Sequence, residues 1–290
     1  MQLVESTRQI LEIYQKNEIS EYHIYKNLSK LIQDDKNREI LKQIAKDENH
    51  HAQEWQKYTQ REVKPSNWDI FKFTLISRVF GFTFGIKLME RGEENAQANY
   101  AQLRDQIPEI DNWIQDEEIH EQKLLAMLDE ERLRYVGSVV LGLNDALVEL
   151  TGALAGLTLA LRDVKLIALS GLVTGIAASF SMAASEYLST RTEDTQKHPT
   201  RAAIYTGIAY IITVTLLVLP YLLISNYILD LAITLTIAVM IIAAFNYYVS
   251  VAKDEPFRSR FLEMAGISLG VAVLSFVIGN FIRQWLGVEV

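Results

Sequence analysis

The chain has 290 residues with a formal charge of −8, 22% charged and 49% hydrophobic residues, and no cysteine. Of its 28 Lys and Arg, 19 lie before residue 136, as do 25 of its 36 Asp and Glu. That asymmetry argues for a soluble head joined to a membrane half rather than for one soluble globule. The missing cysteines exclude disulfides, thiolate zinc and iron–sulfur sites and thiol nucleophiles, and the acidic balance argues against nucleic acid as a partner.

The first residues, Met1-Gln-Leu-Val-Glu-Ser-Thr-Arg, run straight into charged amphipathic sequence with no apolar signal segment, so residues 1–134 are expected to form a cytoplasmic domain. A 3.6-residue period interrupted near Asp34-Asp35-Lys36-Asn37, Pro65-Ser66-Asn67 and Ile107-Pro108 predicts four helices there. The sequence holds no Gly-rich phosphate loop, Ser–His–Asp arrangement or basic-aromatic stripe. It does hold an internal echo. Asp47-Glu48-Asn49-His50-His51 on the second predicted helix matches Asp116-Glu117-Glu118-Ile119-His120 on the fourth, both as Asp-Glu-x-x-His.

A carboxylate and an imidazole three residues apart project from one helix face, so each of these helices can offer two metal ligands together. The first and third helices echo as well, Glu18 preceding Tyr25 and Glu93 preceding Tyr100 by seven residues. The order Glu, Glu-x-x-His, Glu, Glu-x-x-His is the ligand set of a di-iron or di-manganese carboxylate bundle. Ile119 stands where His50 would repeat, so Glu48 and His51 are the repeated pair, and His50 and His23 are expected at the surface. Glu21, one turn after Glu18, and Glu90, one turn before Glu93, are candidate supplementary carboxylates. The pattern resembles the ferritin-like domain of rubrerythrins over roughly residues 5–132. That resemblance implies a four-helix bundle binding two irons, possible ferroxidase activity, and Glu18, Glu48, His51, Glu93, Glu117 and His120 as ligands. The cysteine-ligated iron domain that often accompanies rubrerythrins cannot be built from this chain.

Residues 135–290 carry five apolar stretches, near 136–161, 166–189, 202–224, 228–251 and 261–286, each about 20 residues or more and so long enough to cross a bilayer. Arg132, Arg134, Arg191, Lys197, Arg201, Lys253, Arg258 and Arg260 fall on one side and Arg162, Lys165 and Arg283 on the other. Positive charge therefore predicts a cytoplasmic head and an outside C-terminus. Asp145 and Glu149 lie four residues apart in the first span, on a face continuing through Gly152 and Gly156. The second span has the stripe Gly171, Gly175, Ser179, Met182, Glu186. Small residues at this spacing let helices approach closely, whereas an ionised carboxylate in hydrocarbon costs at least about 2.5–3.5 kcal/mol and marks a wet cavity, a partner or an ion path. Glu186 and Glu263 sit near span ends, where function and a solvated rim are equal expectations, and Asp230 is expected to be rim.

Gly142-Leu-Asn-Asp145-Ala-Leu-Val-Glu-Leu-Thr-Gly-Ala-Leu-Ala-Gly156 and Ser181-Met-Ala-Ala-Ser-Glu186-Tyr resemble the vacuolar iron transporter family across the second half. The resemblance implies five membrane helices, a homodimer and movement of ferrous ion, or manganese, against protons. By the same resemblance Asp145 and Met182 line the path, with Glu149 and Glu186 beside it. The long acidic insert of plant-type members is reduced here to about Thr190–Arg201. Together these readings predict an all-α chain: a ferritin-like four-helix bundle over 1–134 and a five-helix transmembrane domain over 135–290. The expected function is proton-coupled export of ferrous iron or manganese across a prokaryotic plasma membrane. The competing expectation is a membrane-anchored di-iron ferroxidase or peroxidase that transports nothing.

Overall fold

The computed structural model describes residues 5–100, 107, 110–126, 134–193 and 197–286, which form helices and short connections without strands. The chain divides into two compact units, Met1–Glu130 and Glu131–Val290.

In the first unit, α1 (Glu5–Ser29) and α2 (Asp35–Thr59) pair antiparallel. The turn between them ends at Asp34, whose carboxylate accepts from the Asn37 amide at 2.7 Å and so caps the first turn of α2. At the other end of the pair, Gln60 closes α2 in the left-handed conformation, and Thr59 donates to Gln15 Oε1 at 2.7 Å. Ser66 caps α3 (Asn67–Phe80).

The predicted third helix is not continuous. It breaks at Gly81 into α3 and α4 (Phe82–Tyr100), because Gly81 adopts φ 101°, a conformation that a Cβ would strain and that interrupts the helical hydrogen-bond ladder. α5 is Ile110–Ala126. Two apolar clusters occupy different levels of this unit. One holds Leu11, Tyr14, Trp55, Ile107, Ile110 and Trp113; the other holds Ile24, Tyr25, Leu28, Leu41, Ile44, Ala45, Ile86, Met89 and Leu124. Positions 18–21 of α1, 48–51 of α2 and 117–120 of α5 fall between the two, so the polar layer is sealed from water on both sides.

The second unit has five helices long and apolar enough to cross a membrane: α6 (Val136–Leu161), α7 (Val164–Thr192), α8 (Pro199–Leu223), α9 (Tyr227–Lys253) and α10 (Phe257–Leu286). Asp163 caps α7 and Asn226 caps α9 through their side chains, and Pro199 occupies the first turn of α8, where no amide donor is needed. The core is built from Ala146, Leu147, Leu150 and Leu154 of α6, Ile167 of α7, Tyr210, Val214, Leu217, Val218 and Tyr221 of α8, and Ala238 and Ile242 of α9. Leu169, Val173, Phe180, Ile204, Ile208, Val273, Leu274 and Phe281 are exposed, as helices solvated by lipid require.

The glycine stripes are packing seams. Gly152 and Gly156 face Val271 and Ser275 of α10, and Gly171 and Gly175 face Leu154, Val214 and Val218. At the tightest crossing a Cβ on Gly279 would stand 2.3 Å from the Gly156 carbonyl oxygen. α6 is not a uniform α-helix: Ala146–Leu150 forms a π turn, a widening that recurs at functional positions in helices.

Candidate metal centres

The buried polar layer of the first unit is assembled by three helices. Glu18 comes from α1, Glu48 and His51 from α2, and Glu117 and His120 from α5. Glu18, Glu48 and His51 are 5%, 1% and 2% exposed, and His120 is 4% exposed. Glu18, Glu48, His51 and Glu117 each offer one ligand atom, and these four atoms lie within 4.8 Å of one another.

Distances define the arrangement further. His51 Nδ1 stands 3.6 Å from Glu18 Oε2, 3.5 Å from Glu48 Oε2 and 3.4 Å from Glu117 Oε1. His120 Nδ1 stands 3.1 Å from Glu48 Oε1 and 3.7 Å from Glu117 Oε2. Glu48 and Glu117 thus turn one oxygen to each imidazole. Both Nδ1 atoms, with Oε2 of Glu18 and of Glu48, are buried without a hydrogen-bond partner among the described residues. Leaving such a group unsatisfied costs about 1–3 kcal/mol, and four converging on one volume are what a cation satisfies. Ligand atoms about 2.1 Å from one ion and at right angles lie about 3 Å apart, close to the separations seen.

The repeated aspartates complete the arrangement crosswise. Asp116 Oδ2 lies 3.3 Å from His51 Nε2, and Asp47 Oδ2 lies 3.2 Å from His120 Nε2. Each Asp-Glu-x-x-His helix therefore orients the histidine of the other, placing a proton on Nε2 and turning Nδ1 inward. Trp55 donates its indole N–H to Glu18 Oε1 at 3.1 Å, which leaves Oε2 as the inward atom.

Electrostatics follow from this enclosure. Burial opposes charge on both histidines, yet Glu117, Glu18 and Glu48 hold His51 far above the ordinary histidine range, and Glu117 and Glu48 raise His120 to about 10. Burial, with the charges of Glu48 and Glu117, pushes Glu18 up to about 8 against the pull of His51. For Glu117 the balance reverses: His120 and His51 outweigh burial and hold it at about 2. Glu21 is buried one turn beyond Glu18. Glu90 and Glu93 fall on α4, and their side chains lie outside the described residues. His50 is exposed and His23 half-buried.

In the second unit Asp145 immediately precedes the π turn and Glu149 lies within it. The two carboxyls interact with each other and lie near the Tyr210 hydroxyl, which is buried without a hydrogen-bond partner among the described residues. Asp145 is half-buried and Glu149 exposed on the single chain. Met182 packs, partly buried, against the apolar cluster that contains Tyr210. Glu186 is no solvated rim residue: it is 8% exposed and accepts from Ser138 Oγ at 2.6 Å. Glu263 is exposed and lines a cavity of about 340 Å³ with Asn144, Asn246, Arg260 and Met264 among others. Asp230, expected at the rim, is fully buried, because it stands on the covered face of the first turn of α9 while Ile228 and Leu229 stand on the exposed one.

Sequence reasoning missed several of these residues. Asp47 and Asp116 were visible in the repeat, but a ligand search weighs the acid nearest the histidine and passes over the one that braces the opposite helix. Trp55 and Tyr210 carry no motif, and only packing brings them to the acids.

Five apolar helices with carboxylates inside them make this an integral membrane protein, and its first unit carries a cluster able to hold a metal ion. A family model described as the VIT family matches residues 136–198, which span α6, α7 and the turn into α8. The match supports a membrane domain of the kind that transports divalent metal ions such as iron or manganese. No curated protein matches the chain significantly.

Proposed function

We propose that this protein is a proton-coupled membrane exporter of ferrous iron or manganese whose first unit is a ferritin-like, rubrerythrin-type domain binding two metal ions. The observation that carries the transport reading is the coincidence of the VIT match with the acids it contains: Asp145 precedes a π turn inside a membrane span and Glu149 lies within it, beside a buried tyrosine. In this reading Asp145 and Met182 line the path, with Glu149 and Glu186 beside it. A carboxylate coupling metal to protons must alternate between proton-bound and metal-bound states, and Asp145 and Glu149 are the pair placed for that alternation. Glu149 lies exposed on one chain, and a homodimer would enclose it.

In the first unit, Glu18 and His51 would hold one metal ion and His120 the other, with Glu48 and Glu117 shared, since each of these glutamates offers separate oxygens to the two histidines. Glu93, Glu21 and Glu90 complete the proposed set. Bound iron would supply redox chemistry toward dioxygen or peroxide. The residues themselves exclude water, fix the imidazole tautomers through Asp47 and Asp116, and release protons as a cation displaces them. We further assign the first unit to the cytoplasm and the C-terminus to the outside of a prokaryotic plasma membrane, as the positive-charge distribution indicates.

The second reading is a membrane-anchored ferroxidase or peroxidase, favoured by the enclosed ligand cluster of the first unit. Radioactive iron or manganese uptake into inverted vesicles, measured beside oxygen consumption, separates the two. The transport reading requires flux; oxygen uptake without flux would replace it with the anchored oxidase.

A further inference from the structure

Asp230 is a buried acid of the membrane unit that the transport reading does not use. It lies in the first turn of α9, is 0% exposed, and neither of its carboxylate oxygens has a hydrogen-bond partner among the described residues. An aspartate in a first turn ordinarily bonds the free amides there. Here those amides are taken: Asn226 Oδ1 accepts from Ile228 and Leu229 at 3.1 Å each, and the Asn226 carbonyl accepts from the Asp230 amide at 2.8 Å. No charged side chain among the described residues acts on Asp230; the ionisable group near it is Tyr221 of α8.

The hydrogen-bond directions around Tyr221 decide what Asp230 meets. Thr158 of α6, also fully buried, donates its single hydroxyl proton to the Leu154 carbonyl at 2.6 Å. The 2.7 Å contact between Thr158 Oγ1 and the Tyr221 hydroxyl must then use the tyrosine's proton. With that proton committed, Tyr221 has none to offer Asp230, and neither Asp230 oxygen has a donor within hydrogen-bond reach among the described residues. An ionised carboxylate at this place would be a buried charge with neither donor nor counter-ion, whereas the neutral acid fits.

We infer that Asp230, with Tyr221 and Thr158, forms a proton-binding site distinct from the Asp145 tier, and that it carries the counter-proton of the exchange; the second half of this statement rests on the transport reading. Asp230 lies four residues into α9 from the exposed Asn226, about 6 Å of helix rise, so the end of α9 is the side from which a proton would reach it. Thr158 lies 13 residues along α6 from Asp145, about 20 Å of helix rise. The two tiers are thus at different depths, and Tyr210 and Tyr221 mark them on one helix. Metal and proton would occupy separate places in the cycle.

Infrared spectroscopy of the full chain in lipid tests the protonation directly. The wild type and Asp230→Asn should both absorb in the protonated-carboxyl C=O region at neutral pH, where Glu18 also contributes, and their difference spectrum should show the loss of one such carboxyl; identical spectra would overturn the site. In liposomes of the full chain loaded with a pH dye, Asp230→Asn should lose metal-driven proton movement while metal still moves down its gradient. Wild-type proton movement in that variant would overturn the coupling role. If the wild type moves no metal at all, the transport reading fails and the coupling role with it, while the infrared difference would still uphold the proton-binding site.

Discussion

Replacing Glu48 by Gln removes the group on which the proposed two-ion site turns. The change keeps the side-chain volume, so the seal between the two apolar clusters persists, but it removes the charge and makes one of the two inward oxygens a donor. Glu48 Oε1 stands 3.1 Å from His120 Nδ1 and Oε2 3.5 Å from His51 Nδ1, so both halves of the cluster lose a ligand at once. Residues that only brace a ligand typically account for about 10–100-fold in metal affinity. A ligand shared by two ions should exceed that, so about 100-fold, or roughly 2.8 kcal/mol, is the least expected loss. The assay is chelator competition on the purified full chain in detergent with elemental analysis of bound iron and manganese, and thermal unfolding as a check on folding. Wild-type metal content and affinity in a folded Glu48→Gln chain would refute the reasoning.

The aspartate braces should be unequal. Asp47→Ala is expected to weaken metal binding about 10–100-fold, and Asp116→Ala less, because the Asp116 side chain is 52% exposed against 31% for Asp47 and water can replace it more readily; chelator competition reads both. The metal-free chain should lose stability as pH rises. His120 and Glu18 have folded values of about 10 and about 8, above their unfolded ones, so both favour the folded state at low pH and withdraw that support as pH climbs through those values; melting followed by tryptophan fluorescence should show a falling midpoint between neutral pH and pH 10. Metal affinity should move the opposite way across the neutral range, rising with pH as competing protons leave. In the membrane unit, Gly279→Val should destabilise the seam with Gly156, by about 1–3 kcal/mol for an overpacked contact, read as a lower melting temperature in detergent.

The features legible beforehand were those written in one-dimensional spacing. The five apolar stretches, the Glu-x-x-His repeat and the Asp145–Glu149 pair depend on length and helical period, and each reappears in the structure as spans or as side chains brought together. The break at Gly81 was not legible because an isolated glycine in a helical pattern is compatible with either a continuous helix or a turn. Its φ of 101° is set by how α3 and α4 pack. Asp230 was misjudged for a related reason. Nearness to a span end suggests water, but exposure depends on which face of the first turn of α9 a residue occupies, and residue spacing does not show which face is covered. The π turn in α6 likewise leaves no trace in residue spacing. The glycine stripes had two readings, and their seams with α8 and α10 settle them as packing.

The central claim is that the chain handles cations in two places, a carboxylate–histidine cluster in its first unit and intramembrane acids in its second. Asp145→Asn in reconstituted liposomes, with iron flux and retained metal measured on the same preparation, tests it most directly. The account predicts that flux and the accompanying proton movement vanish while the first unit keeps its metal. Undiminished flux through Asp145→Asn would contradict it.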